Sequence, residues 1–411
     1  MDAPLAPTST TGADAIDNPF ALMDPEMLRH PQPVLNALRE SAPVLAVDGM
    51  GVMLNRRDLI DEAFRKPAVF SSNMSAVDLC NVRPLIPLQI DPPQHKSYRK
   101  ILDPLFAPRE MVKLEDAFAA RVNALIDGFI ERGRVDFAQE FSIPFPSLAF
   151  LSLLGLPADE LPSFLRMKDG IIRPDSVVGA PREDPATKVY QREIANSIYD
   201  YFDRVIDERS AQRQDDLISR FLDTEVDGER LTREEILDIC FLFLIAGLDT
   251  VTATLDCMFG FFVEHPEHRR EIVDDPSLIP AAVEELLRWE TPVMTVVRVA
   301  MEDTEIGGCP VREGDHVMAM LSSANLDNAE FDDGDVVRFD REANRHIAFG
   351  VGVHRCLGSH LARTEVRIAL REWHRRIPEY ALVDGATLEF TPAIRSVEHF
   401  PMVFPAGTRE G

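Results

Sequence analysis

The sequence predicts a mainly α-helical fold with small β-sheets at its flanks, an α+β arrangement, and three features of the chain point to it. Apolar residues recur every three or four positions among charges over 109–130 and again over 190–221, the spacing of amphipathic helices. A further segment, from Thr232 to Pro266, is apolar enough for a helix buried in the core. The β-type runs are short and lie toward the two ends. They are APVLAVDGMGVML around residue 47, TEIGGCPVREGDHVMAM after Thr304, and 380–404, with Gly49, Gly51, Gly307, Gly308 and Gly314 supplying turns.

The 411 residues exceed an ordinary domain, but no tandem repeat or low-complexity linker divides them. One domain over 20–411 is therefore expected, preceded by an arm over 1–19 that is small, polar and acidic, with neither the basic start nor the apolar run of a secretory signal. Hydrophobic residues at 45% and charged residues at 27% suit a globular protein with a substantial core. Asp and Glu total 69 against 43 Lys and Arg, a net charge of -26 that repels nucleic-acid phosphates and anionic membranes. The richest apolar run, ICFLFLIAGL over 239–248, is shorter than the ~20 residues of a membrane span. Five scattered cysteines without CxxC pairs indicate neither a disulfide framework nor a structural zinc site, and reduced thiols in a cytoplasmic protein follow.

Two stretches, 71–89 and 168–188, mix apolar residues with Pro, Gly, Ser and Asp and read as irregular connections, either lids over a site or surface loops. Between the helical segments, TREE at 232–235 is a capping box. It starts a helix that can run roughly 33 residues, about 50 Å, before Pro266. In its middle AGLDT (246–250) breaks local rules, since Gly247 weakens a helix and a buried Asp249 needs a partner. One reading is a kink, with Thr250 bonded back to a carbonyl and Asp249 in a salt bridge; the other is a functional acid and alcohol.

The stretch FGVGVHRCLGSH (349–360) carries a single cysteine, Cys356, and admits three readings. Its glycines do not spell the dinucleotide fingerprint GxGxxG, and no βαβ pattern follows. Cys356 as a small core hydrophobe is the second. The third is a metal thiolate: the glycines let the backbone pass close to a flat ligand, and the following helix LGSHLARTEVRIALREWHRRI presents its positive end to the sulfur. A lone thiolate suits an axial position of haem iron better than four-coordinate zinc.

FGVGVHRCLG resembles the haem-binding signature of the cytochromes P450, with Phe349, Gly352, His354, Cys356 and Gly358 in place. AGLDT resembles the family's central-helix motif, and Glu285-x-x-Arg288 its Glu-x-x-Arg pair. The likeness runs from about residue 45 to the end and is to the soluble bacterial type.

The resemblance implies a haem-thiolate monooxygenase holding haem b, with Cys356 as the axial metal ligand that favours O–O cleavage. His95, Arg99, Arg298 and His354 would meet the propionates; Phe349, Gly358 and Ala246 would also line the cofactor. Asp249 and Thr250 would be the catalytic pair that manages protons for dioxygen. Leu242, Ile245, Ala246, Val296 and Ile394 would form the substrate pocket with the 71–89 segment above. Almost all are apolar, which implies a compact terpenoid, steroid-like or aromatic substrate. Glu285 and Arg288 would be a structural pair, with Arg338 of VVRF as third partner although the family's proline is missing there.

With no flavin or nicotinamide domain in view, electrons would come from a separate ferredoxin served by an NAD(P)H reductase. Lys96, Lys100, Arg109, Lys113, Arg355 and Arg363 could form its docking face, or be ordinary surface charge. A peroxide-fed haem-thiolate enzyme and a haem-based ligand carrier without turnover are the alternatives.

Overall fold

The computed structural model describes residues 24–410 apart from 48, 50, 74–78 and 227. The expected arm at 1–19 and part of the 71–89 segment lie outside the described residues. The fold is mainly helical with small sheets. Its axis is the central helix Arg233–Glu264, which starts and stops where local chemistry dictates. The Thr232 hydroxyl accepts from the Glu235 N–H at 3.2 Å while the Glu235 carboxylate accepts from the Thr232 N–H at 2.7 Å, closing the capping box. The other Glu235 oxygen takes the Tyr98 hydroxyl at 2.6 Å and so ties this end to the helix Gln94–Leu102. Pro266 follows the C-cap His265 and opens the next helix.

Every residue from Val251 to Phe262 is buried, the state required of a helix that is apolar all round. Length and composition would let this helix cross a membrane, yet 72% of its most apolar window is buried within the fold. Aromatic rings clamp it to the helix Ser359–Arg376 that follows the cysteine loop. Phe259 meets Trp373 at 5.1 Å and Phe137 at 4.3 Å, and Phe141 meets Trp373 at 4.9 Å. Such pairs add about 0.5–1.5 kcal/mol each beyond the area they bury.

The larger sheet comprises β1 (Val44–Val47), β2 (Gly51–Leu54), β3 (Phe70–Ser71), β5 (Thr295–Ala300) and β6 (His316–Met320) in the order β1-β2-β6-β5-β3. Gly51 has to be glycine: its φ is +116°, and a Cβ there would stand 2.1 Å from the His316 carbonyl oxygen of the neighbouring strand. In β5, Arg298 pairs with Val317 and Val296 with Ala319, so these two site candidates share one face. A three-stranded sheet joins β4 (Arg134–Asp136), β7 (Ala381–Leu382) and β8 (Pro401–Val403), and two further sheets among the described residues have two strands each. The β-type segments of the sequence thus all contribute strands.

Two expectations about helices change. The segment over 190–221 divides into Pro185–Ala211 and Leu217–Asp223, because Asp216 adopts extended dihedrals as an N-cap and accepts from the Ser219 N–H. The stretch 168–188, expected to be irregular, is mostly helical: Leu161–Ile172, then Pro174–Val178, then the start of Pro185–Ala211. Pro174 and Pro185 begin helices, where a missing N–H costs nothing, rather than interrupting them. Gly170 allows the close approach of two of these helices, since a Cβ there would meet the Ile194 side chain at 2.8 Å.

Candidate haem-thiolate site

Cys356 ends a turn whose shape depends on Gly352. That residue has φ +77°, and a Cβ on it would meet the Phe64 carbonyl oxygen at 2.9 Å. The Cys356 N–H donates to the Phe349 carbonyl at 2.8 Å, closing the loop. Cys356 is exposed as a residue, yet the atoms packed around its thiol desolvate it. Burial pushes its pKa up, while the Gly358 N–H and the cations Arg99, Arg355 and Arg363 work in the opposite direction and favour the anion. A Cβ on Gly358 would stand 4.0 Å from the sulfur. Arg99 donates to the Arg355 carbonyl at 2.7 Å and so fastens the helix Gln94–Leu102 to the cysteine loop.

Beside this loop, two imidazoles and a guanidinium gather with few anions among the described residues to meet them. His95 is buried, and its ring centroid lies 4.1 Å from that of His354. Arg298 lies over the Phe64 ring at 4.4 Å and gives one N–H to the Val297 carbonyl. Burial pushes the Arg298 guanidinium down to about 10. Burial, then His95 and Arg298, push His354 down to about 3. Asp91 is 3.7 Å from His354, beyond hydrogen-bond reach, and already accepts from the Ser71 hydroxyl and the Ser72 N–H. The Nε2 atoms of His95 and His354 are buried with no hydrogen-bond partner. Two orphaned imidazole nitrogens and a guanidinium with no carboxylate partner among the described residues match the two carboxylates at the edge of a haem, and the sulfur of the exposed Cys356 matches its iron. The residues present therefore fit a haem-thiolate group.

In the central helix, Thr250 bonds back to the Ala246 carbonyl at 3.1 Å, and the helix runs through without a break. Gly247 leaves room for Phe150, which a Cβ would meet at 3.2 Å. Asp249 is 2% exposed and takes Lys168 Nζ at 2.6 Å and Arg173 Nη2 at 2.8 Å. Neither cation was singled out from sequence, although a buried aspartate calls for one. Both come from the stretch misread as irregular, which is why they were missed.

Leu242 and Ile245 are buried in the apolar core of this half. Ala246 is exposed, and Val296 and Ile394 are half-buried. Ile394 forms a β-bridge with Val293, which draws the 391–397 loop to the segment leading into β5.

Glu285 and Arg288 form a two-pronged ion pair at 2.7 and 2.9 Å, both essentially inaccessible. The third side chain is Arg341, with Nε 3.0 Å from Glu285, and not Arg338, which gives only its backbone N–H. Asn344 adds a further donor at 3.0 Å. Residue 338 thus binds Glu285 through the main chain, and the side-chain role lies three residues on. Of the expected docking cations, Lys96, Lys100, Arg109, Lys113 and Arg355 are exposed. Arg363 is not available, since it grips Glu284 at 2.6 and 2.8 Å and covers the Phe349 ring at 4.4 Å. Lys113 shares Glu110 with Arg109 and Arg220.

Comparison with known proteins identifies the family. The family model "Cytochrome P450" matches residues 183–373. The steroid C26-monooxygenase of Mycolicibacterium smegmatis is 32% identical over 376 residues, 89% of this chain and 91% of that protein. Among solved structures, cytochrome P450 CYP109Q5 from Chondromyces apiculatus superposes with a TM-score of 0.84 at 28% identity, covering 94% of this chain and 98% of that one. CYP109E1 from Bacillus megaterium, solved with testosterone, gives 0.81 at 27% identity, covering 91% and 99%. With Cys356 beside buried imidazoles that lack hydrogen-bond partners, on a fold shared with these relatives, the chain belongs to the cytochrome P450 family, as a haem-thiolate monooxygenase.

Proposed function

We propose that the protein inserts one atom of dioxygen into a compact, largely apolar substrate of steroid-like, terpenoid or aromatic character, with electrons from a separate ferredoxin and its NAD(P)H reductase. The observation that carries this reading is the pairing of an exposed Cys356 sulfur with buried, partnerless His95 and His354 nitrogens. Haem b, held by Cys356 and by His95, Arg99, Arg298 and His354, supplies the oxygen activation when bound. Phe349 and Gly358 shape the wall on the sulfur side, and Ala246 leaves space on the other.

The chain's own residues supply order and protons. Thr250 Oγ1, parked on the Ala246 carbonyl, is an alcohol that can turn to donate instead. Asp249 next to it is reached from solvent through Arg173, whose side chain is 32% exposed. Leu242, Ile245, Val296 and Ile394 provide an apolar surround that excludes water and holds a substrate by shape. The steroids named for two of the relatives support a substrate of that size and polarity. The exposed cations Lys96, Lys100 and Arg355 support an acidic electron donor on the sulfur side. Residues 20–411 act as one domain, and the setting is the cytoplasm.

The test is a purified, haem-loaded protein. Its reduced carbon monoxide complex should carry the thiolate band, and testosterone should shift the spin state. Turnover with a ferredoxin couple should give product, and Thr250→Ala should divert most of the electrons to hydrogen peroxide. A carrier without turnover would bind carbon monoxide alike and form no product. A peroxide-fed enzyme would need no ferredoxin and would be indifferent to Thr250→Ala.

A further inference from the structure

The far half of the central helix buries a carboxylate that the reaction does not use. Asp256 is 0% exposed, in the stretch where every neighbour on the helix is buried. Burial pushes it up to about 7, and the other charges acting on it, Asp249 and Asp136, repel it. Among the described residues, two neutral donors hold it. Ser142 gives its hydroxyl at 2.5 Å and Val397 its N–H at 3.1 Å. A carboxylate so placed costs stability that a leucine of the same shape would not, so its retention calls for a role.

Val397 closes the loop that carries Ile394, and this loop is tied down at every turn. Ala393 has φ +66°, a left-handed conformation that is strained for a residue with a Cβ. The strain is held by the Met294 N–H on the Ala393 carbonyl at 3.1 Å and by Thr391 Oγ1 on the Ile394 carbonyl at 2.7 Å. Arg395, fully buried, bonds Glu290 and the carbonyl of Leu28, and its own carbonyl takes the Cys257 thiol at 3.2 Å. Asp256 and Cys257 are consecutive, so one turn of the central helix, seven residues beyond Asp249, grips the loop from beneath.

We propose that Asp256 is a positioning residue for substrate selectivity: from the buried side of the central helix it fixes the height of loop 391–397, and so of Ile394, relative to the helix turn that carries Thr250. The role rests on the function proposed above, in which Ile394 touches substrate. Asp256 reaches the reaction only through the loop. A shift of the loop changes which carbon of the substrate stands at the reacting position, and not whether the protein folds or binds haem.

Asp256→Asn keeps an oxygen for Val397 and an N–H for Ser142, whereas Asp256→Leu offers neither. On the haem-loaded protein, amide exchange over 391–397 should quicken about tenfold in Asp256→Leu and stay at the wild-type rate in Asp256→Asn, as expected for one lost buried hydrogen bond. With testosterone as probe, the ratio of hydroxylated products should shift several-fold in Asp256→Leu and return in Asp256→Asn. If Asp256→Leu does not fold, Asp256→Ser, too short to reach Val397, should give the same two changes. Exchange at the wild-type rate in the leucine or serine variant overturns the anchoring. Faster exchange with an unchanged product ratio overturns the positioning role. Wild-type protein with no thiolate band and no product overturns the parent reading and the selectivity role with it, while exchange still decides the anchoring.

Discussion

Around Glu285, Arg288 and Arg341 supply the cations, Arg338 a backbone N–H and Asn344 an amide, so that burial raises the carboxyl but these donors outweigh it and leave its pKa below the ordinary value. Around His354 the balance is reversed. Burial and neighbouring cations act together, and the Nε2 atoms of His95 and His354 have no hydrogen-bond partner among the described residues. Both clusters are buried and rich in arginine or histidine. The closed one holds the chain together, because each charge there has its partner within the fold. The open one lacks its partners, and a buried group left unsatisfied in a folded protein marks a place where something else belongs.

Breaking the closed cluster should have the largest effect. Glu285→Ala leaves two buried guanidinium groups without a counter-charge and should cost about 3–5 kcal/mol, read as a lower urea midpoint with unchanged slope. Breaking the open cluster should act on the cofactor and not on the fold. Arg298→Ala should speed haem loss about 10- to 100-fold, the value of a charge-assisted hydrogen bond, while the unfolding midpoint of haem-free protein stays the same or rises. An equal loss of stability in both variants would erase the distinction between the clusters.

Glu365 sharpens the contrast from a third position. It is fully buried with Oε2 unpartnered, and burial raises its pKa well above the ordinary value. The folded state therefore keeps a proton that the unfolded state releases near pH 4.5, so this group lowers stability as pH rises from there toward its folded pKa. Glu365→Gln should be about 1–3 kcal/mol more stable than wild type at pH 8 and equal to it at pH 4.5. A constant difference across that range would remove the explanation. The smallest effect is expected at Arg338, whose side chain is half exposed and pairs with Asp333 at 3.8 Å. Arg338→Ala should change stability by less than about 0.5 kcal/mol, whereas Arg341→Ala should cost several times as much.

Legibility followed the range of the interactions involved. The cysteine turn could be read because Phe349, Gly352, Cys356 and Gly358 act on one another within ten residues. The limits of the central helix were legible for the same reason, since Thr232 and Glu235 cap each other. The helices over 168–188 were misread because proline and glycine signal a break in general, while Pro174 and Pro185 occupy first-turn positions and Gly170 serves packing. With that stretch read as irregular, Lys168 and Arg173 could not be recognised as the partners of Asp249, 81 and 76 residues away. Which arginine side chain reaches Glu285, Arg341 and not Arg338, appears only when the backbone is placed, because the two lie 56 and 53 residues from it along the chain.

The sequence by itself determined where the central helix begins and ends, which flanking segments form strands, and the turn that carries Cys356, because capping, turn geometry and apolar spacing act between near neighbours. Only the tertiary structure decided which charges are satisfied. Whether His95 meets His354, Asp249 meets Arg173 or Asp256 holds the 391–397 loop depends on segments brought together by packing. The cost of a buried polar group is fixed by what surrounds it in space, and spacing along the chain does not contain that information.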